Sequence, residues 1–274
     1  MSVSAINASG RAGKVIPAGS YRMSGLLRSE WTKMRTVRST MWTLGVTIVL
    51  AIGISAIACI ETRIHWTRGN AVGFDATSTS LIGVFIAQFT IGILGVLIMS
   101  AEYGTGTIRA TLSAAPRRPR VLAAKTLVLG LVTLIVSEAV AFIAYFLGQA
   151  LLSAPAIHTT IGSPGALRAV VGCGLYVCLL GLFALGLATM IRHTAGAISA
   201  FIGVLLVLPI VIQALPSSIA NKVQPFLPTH IGQSVLSLQR QPHTFAPWPS
   251  LLLLAGYAAA SLVIGGILLV RRDA

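Results

Sequence analysis

Long apolar runs alternate with short polar and basic stretches along this chain. The runs extend approximately from Met41 to Ile60, Leu81 to Ala101, Leu122 to Leu147, Ala169 to Ile191, Ala195 to Leu215 and Pro249 to Val270. A hydrocarbon core of about 30 Å is crossed by about 20 helical residues, so each run is long enough to span a bilayer once. Gly53, Gly92, Gly95, Gly181 and Pro209 fall inside these runs, which membrane helices tolerate better than soluble ones do. Ahead of the first run a different period holds. Met23, Leu26, Leu27, Trp31 and Met34 recur at three- and four-residue spacing, with Arg28, Lys33, Arg35 and Arg38 on or near the other face. That pattern predicts an interfacial amphipathic helix over residues 23–40, anchored by Trp31, Lys33, Arg35 and Arg38. Residues 1–22, rich in Ser, Ala, Gly and basic residues, read as a flexible tail, and residues 41–274 as one six-helix membrane domain. Glu61 and Arg63 follow the first run with no small-residue cleavage site, so it reads as an anchor rather than a cleaved signal.

Composition agrees with an all-α, polytopic membrane protein. With 55% hydrophobic residues and 9% charged ones the chain cannot solvate its own surface as a soluble domain would. Its net charge of +14 would suggest a nucleic-acid surface in a soluble protein, but the basic residues flank apolar runs, and no nucleic-acid partner is expected. They also divide unevenly. Fifteen Lys and Arg lie in the first forty residues, between Glu102 and Lys125, at Arg192 and at Arg271 and Arg272; Arg63, Arg68, Arg168, Lys222 and Arg240 lie on the other side. The positive-inside rule then puts both ends of the chain in the cytoplasm.

The connection between the second and third runs is long and distinctive, whereas the fourth and fifth runs turn over Arg192, His193 and Thr194. Gly104 and Gly106 release the second helix, Thr105 or Thr107 can cap a new one, and Ile108 and Leu112 share a face. Pro116 and Pro119 oppose continuation. The expected product is a short, stiff cytoplasmic helix able to pass a partner's movement into the bilayer.

Chemistry of other kinds finds no support. Gly10 to Val15 fails the phosphate-loop spacing and lacks its hydroxyl, Gly104-Thr105-Gly106 is not completed by a third glycine, and no metalloprotease or serine-hydrolase motif occurs. Cys59, Cys173 and Cys178 lie within apolar runs and read as small hydrophobes, with no disulfide framework or zinc site. His65, His158, His230 and His243 are scattered over outer loops without metal-ligand spacing. The chain therefore reads as a non-enzyme with no bound cofactor of its own.

The stretch from Leu27 to Thr40, Leu-Arg-Ser-Glu-Trp-Thr-Lys-Met-Arg-Thr-Val-Arg-Ser-Thr, resembles bacterial ABC-transporter permeases of the type-2 exporter class. So does the loop, at Glu102, Tyr103, Gly106, Thr107, Arg109, Leu112, Pro116, Arg117 and Arg118, as do Arg192 to Gly196 and Leu227 to Gln233. The resemblance implies that Glu102 to Arg120 is a coupling element docking on a separate ATPase subunit, which would carry ATP and magnesium. It further implies two permease copies, substrate contacts from the first, second and fifth helices, and residence in the bacterial cytoplasmic membrane as an exporter.

Glu138 is the only acidic residue deep in an apolar run, with Ser137 beside it. On insertion scales an ionised group there costs roughly 2.5 to 3.5 kcal/mol, so it is expected to face helices, a cavity or a partner and marks a candidate translocation-path or gating residue. Gln88, Gln149 and Gln213 are neutral and weaker candidates. Two alternatives stand beside the permease reading: a proton-coupled secondary exporter using Glu138, and a membrane scaffold or regulator that transports nothing. From Pro216 to Pro249, Val223, Phe226, Leu227, Ile231, Val235 and Leu238 predict short apolar helices against the outer leaflet.

Overall fold

The computed structural model describes residues 23–66, 73–108, 118–152, 158–239 and 244–271. The tail 1–22 and the coupling positions Arg109, Leu112, Pro116 and Arg117 lie outside the described residues. Every regular element described is helical. In chain order they are α1 (Met23–Thr36), α2 (Arg38–Ile64), α3 (Ala76–Ser80), α4 (Val84–Gly104), α5 (Arg118–Leu151) and α6 (Ala166–Ile191). There follow α7 (Thr194–Ile202), a π-helical turn (Gly203–Val207), α8 (Leu208–Gln213), α9 (Ser217–Val223), a 3-10 turn (Gln224–Phe226), α10 (Pro228–Leu236) and α11 (Pro247–Arg271).

Among the described residues six helices are long and apolar enough to cross a membrane: α2, α4, α5, α6, the combined α7–α8 segment and α11. They correspond one to one with the six apolar runs. Most overrun the run's edges, because a helix continues through the interfacial polar residues that hydropathy excludes. The clearest case is α5, which is 34 residues long.

Helix α6 is the axle of the bundle. It is buried along most of its length and packs on α4, α5 and α11. Small residues make that possible, since close backbone approach is what holds helices together where lipid removes the hydrophobic drive between them. Gly95 of α4 lies against the Gly181 carbonyl, and Gly186 lies against Ser261 of α11, leaving no room for a side chain at either position. The outward faces carry Trp42, Val49 and Ile57 of α2, Leu131 and Ile135 of α5, and Leu252 and Val263 of α11, all exposed. Such faces suit a lipid surround.

The fifth span is not one regular helix. Pro209 has no amide hydrogen and its ring opposes the preceding turn. Upstream of it the backbone widens to a π turn, and the Leu208 amide donates to Gly203 O, five residues back.

At one end of the bundle polar residues staple the loops. Asp75 caps α3 through the Ser78 amide at 3.0 Å and also accepts the Leu238 amide at 2.6 Å. Arg168 donates to the Val235 and Ser237 carbonyls. Buried Gln149 donates to Ala76 O and Ser80 Oγ and accepts from the Thr159 amide at 2.7 Å. This use of its whole amide makes Gln149 a brace for the loops, while Gln213 is exposed. Helix α10 lies across this end against α6 and α11, with Ile231, Val235 and Leu236 buried. The other end carries α1.

Candidate functional site

Helix α1 turns its apolar stripe toward protein. Leu26, Glu30 and Met34 recur every fourth residue and are all buried, in a helix that packs on α5 and α2, while Trp31, Arg35 and Arg38 are exposed. The apolar stripe that periodicity would lay in the headgroups is thus covered by the bundle, and an acid sits in its middle.

That acid meets three other charges. Lys125, on the second turn of α5 and with a side chain only 1% exposed, donates to Glu30 Oε2 at 2.9 Å and to Glu102 Oε1 at 2.6 Å. Lys33 donates to Glu30 Oε1 at 2.8 Å and to the same Glu102 Oε1 at 2.7 Å. Two carboxylates and two ammoniums thus close a neutral ring joining α1, the last turn of α4 and the start of α5. Burial alone would lower the Lys33 pKa, but its hydrogen bonds with Glu102 and Glu30 outweigh that effect and hold it above the ordinary 10.5. Losing one partner from a buried pair strands the others, at a cost of about 3–5 kcal/mol. The three helices are therefore tied as one body at this end.

Glu102 stands where the second span gives way to the long connection. Thr105 closes α4, and Gly106 follows with φ +70°, a left-handed conformation that glycine adopts without strain. Thr107 and Ile108 are already helical where description stops, and Ile108 is buried. Thr107 Oγ1 lies 2.9 Å from Thr105 Oγ1.

A second junction lies beside the first. The Arg192 guanidinium sits 5.4 Å above the Tyr103 ring, within cation–π range. It also donates to Leu268 O at 3.1 Å, and Arg118 donates to Leu269 O at 2.9 Å. Both carbonyls belong to the last turn of α11, where a helix has acceptors without intrahelical partners and attracts positive charge. Arg118 is thus engaged within the fold. Sequence reasoning grouped Glu102, Tyr103 and Arg118 in one coupling element and set Lys33 apart as an interfacial anchor, and the structure gathers all four at one end of the bundle. Glu30 and Lys125 went unselected. Their signals were an acid three residues before Lys33 and a lone cation inside an apolar run.

Glu138 lies elsewhere, midway along α5. Its carboxyl rests against Gly174 of α6, where a Cβ would collide with it, and its Oε2 is enclosed without a hydrogen-bond partner. Nearby in the core Tyr176 donates to Gln88 Oε1 at 2.7 Å, while Gln88 Nε2 is enclosed without a hydrogen-bond partner. Among the described residues no three His, Cys, Asp or Glu side chains gather as a metal site.

The family model for ABC-2 family transporter proteins matches residues 26–209, from the start of the α1 stripe to the proline of the fifth span. The chain belongs to the ABC-2 family. The match covers the charged ring, the long connection and Glu138 alike. Membership makes this multi-pass membrane protein a permease component of an ABC transporter, a transport subunit and not itself an ATPase. No curated protein matches the chain.

Proposed function

We propose that this ABC-2 permease is the membrane-spanning subunit of an exporter in a bacterial cytoplasmic membrane. ATP is hydrolysed by a separate subunit, which carries the nucleotide and its magnesium, and two permease copies line the path between them. The α1 end faces the cytoplasm, because fifteen of the twenty Lys and Arg of the sequence belong to that side.

The observation that carries the reading is the ring of Glu30, Lys33, Glu102 and Lys125. It sits at the root of the connection from Glu102 to Arg120, so a push on that connection reaches α1, α4 and α5 together. Closure of an ATPase pair against two such connections would rock these bodies and alternate access between them. Arg109, Arg117 and Arg118, with Leu112 and Pro116, belong to the stretch assigned to the ATPase contact.

The test is a photocrosslinker placed at Leu112 in native vesicles. The expected product is an adduct with a nucleotide-hydrolysing protein, and its absence would overturn the reading. A proton-coupled exporter is the second reading, favoured by the enclosed, partnerless Oε2 of Glu138. It requires efflux from proteoliposomes holding the permease alone, driven by a pH gradient and lost in Glu138→Gln.

A further inference from the structure

Helices α5 and α11 meet at the α1 end of the bundle, where Arg118 donates to Leu269 O, and an open groove of about 780 Å³ runs between them. Leu122, Ala123 and Leu127 form one wall and Val263, Gly266 and Ile267 the other. Small residues hollow it: a Cβ at Gly266 would meet nothing nearer than Leu122 Cδ2, at 3.4 Å. Leu127, Val263 and Ile267 are exposed, so the groove opens on the outer face of the bundle.

Each wall ends in an arginine. Arg120 begins the stripe that Ala123 and Leu127 continue at three- and four-residue spacing, and Arg271 ends the stripe of Val263 and Ile267. Both arginines are exposed, and among the described residues neither pairs with an acid. Glu30 and Glu102 are held in the neutral ring, Glu61 lies beside His65 at the far end of α2, Asp75 caps α3, and Glu138 is midway along α5. The last acid of the sequence, Asp273, lies outside the described residues and adjoins another cation, Arg272. The α11 carbonyls of Leu268 and Leu269 are already met by Arg192 and Arg118, so Arg271 is not needed there.

Length and charge together select an occupant. From Pro119 to Leu127 the groove runs about 12 Å at about 1.5 Å per residue, within the roughly 15 Å of hydrocarbon in one leaflet. Its complement is an apolar chain of single-leaflet depth with negative charge at the arginine end. A second permease copy is no such complement, since a two-fold contact across this groove would bring the arginines of both copies together at one depth. A zwitterionic phospholipid offers a phosphate, but carries its own cation toward the guanidiniums. An anionic one offers the phosphate alone, which arginine holds through charge-assisted hydrogen bonds.

We propose that this groove binds an anionic glycerophospholipid of the inner leaflet, an acyl chain between α5 and α11 and the phosphate held by Arg120 and Arg271. Arg120 is also the last residue of the connection from Glu102 to Arg120, so the bound lipid ties that end of the connection to α11. The choice of leaflet rests on the orientation proposed above, whereas binding itself requires no ATPase.

The experiment uses the whole protein in phosphatidylcholine nanodiscs without nucleotide, with trace phosphatidylglycerol or phosphatidylcholine carrying a diazirine midway along one acyl chain. Label on exposed Val46 and Val49, in the α1 half of α2, gives the preference of an ordinary lipid-facing surface. Relative to that, phosphatidylglycerol is expected to label the Leu122 to Leu127 and Val263 to Ile267 peptides over phosphatidylcholine by about fivefold for each arginine, the ratio equivalent to about 1 kcal/mol. Arg120→Gln and Arg271→Gln, both at exposed positions, should each remove about a fivefold share of the preference. Gly266→Leu, which fills the groove and leaves both arginines in place, should strip the groove label from both lipids. A preference no greater than that on α2, or one that survives the two arginine substitutions together, overturns the proposal. So does disulfide trapping of Val263→Cys between copies, which would seat a second permease in the groove. With no ATPase in the assay, such a failure leaves the crosslinking test of transport standing, and failure of that test leaves the labelling result intact.

Discussion

Lys125 and Glu102 lie 23 residues apart in sequence and 2.6 Å apart in space, at the two ends of the connection between the second and third spans. The pair closes that connection at its base, so whatever the intervening residues contact, their two anchors move together.

Removing the lysine tests this most directly. Lys125→Met should destabilise the protein by about 3–5 kcal/mol, since Glu30 and Glu102 would then share the single ammonium of Lys33 and leave one carboxylate charge unbalanced in a buried site. Pairing it with Glu102→Gln should return part of that loss, because the double variant buries fewer unbalanced charges. Denaturant unfolding in detergent, run as a double-mutant cycle, reads the coupling; strictly additive losses would show that the two side chains act independently.

Alkaline pH gives a second test of the same ring. A folded-state pKa raised above 10.5 means that the charged Lys33 contributes stability fully below that value and loses it as pH rises through the folded-state pKa. The unfolding midpoint of wild type should therefore exceed that of Lys33→Met by a constant margin from neutral pH to about 10.5, and the margin should shrink above it. His230, half-buried on α10, behaves oppositely: burial lowers its pKa below 6.5, favouring the neutral ring in the fold. Its neutral form should cost stability as pH falls below 6.5, and His230→Gln should flatten that acid limb.

Two glycines of α4 should respond differently to substitution. A Cβ at Gly92 would enter the Phe201 ring, whereas one at Gly95 would meet the Gly181 backbone carbonyl. Overpacking of this sort typically costs about 1–3 kcal/mol. Gly92→Ala should be rescued by Phe201→Leu, which removes the obstructing atoms, and no side-chain change should rescue Gly95→Ala. Yields of folded protein by size-exclusion chromatography distinguish the two.

Gly174 and Glu138 form a similar pair inside the membrane. Gly174→Ala should be damaging in wild type and nearly neutral in Glu138→Ala, because the colliding atoms are those of the Glu138 carboxyl. Coupling between contacting residues is commonly about 0.5–3 kcal/mol. A Gly174→Ala penalty of equal size in both backgrounds would show that another neighbour sets the space at this point.

Much of this architecture was legible in one dimension. Span number follows from the length of uninterrupted apolar chain, and Glu102 announces itself as an acid at the end of such a run. Its partners do not. Glu30 looks like a polar-face residue of an amphipathic helix and Lys125 like one more positive-inside cation; only folding brings them together across 95 residues. The buried side of α1 was hidden for the same reason, since periodicity gives a face but not what covers it. Gln149 looked like a pore candidate because a lone amide in an apolar run has the same signature whether it meets cargo or a loop backbone. Pro209 did carry a readable signal, the missing amide, although not the form of the accommodation.

The widened turn ahead of Pro209 behaves like a stored extra residue. Were it to tighten to ordinary winding, everything beyond it in the fifth span would swivel by about 100°, bringing Ile212, now buried, toward the side where Gln213 faces out. Deleting a single residue within 203–207 removes the surplus instead, giving a plain α-helical span that can no longer swivel and that keeps Ile212 on its buried side.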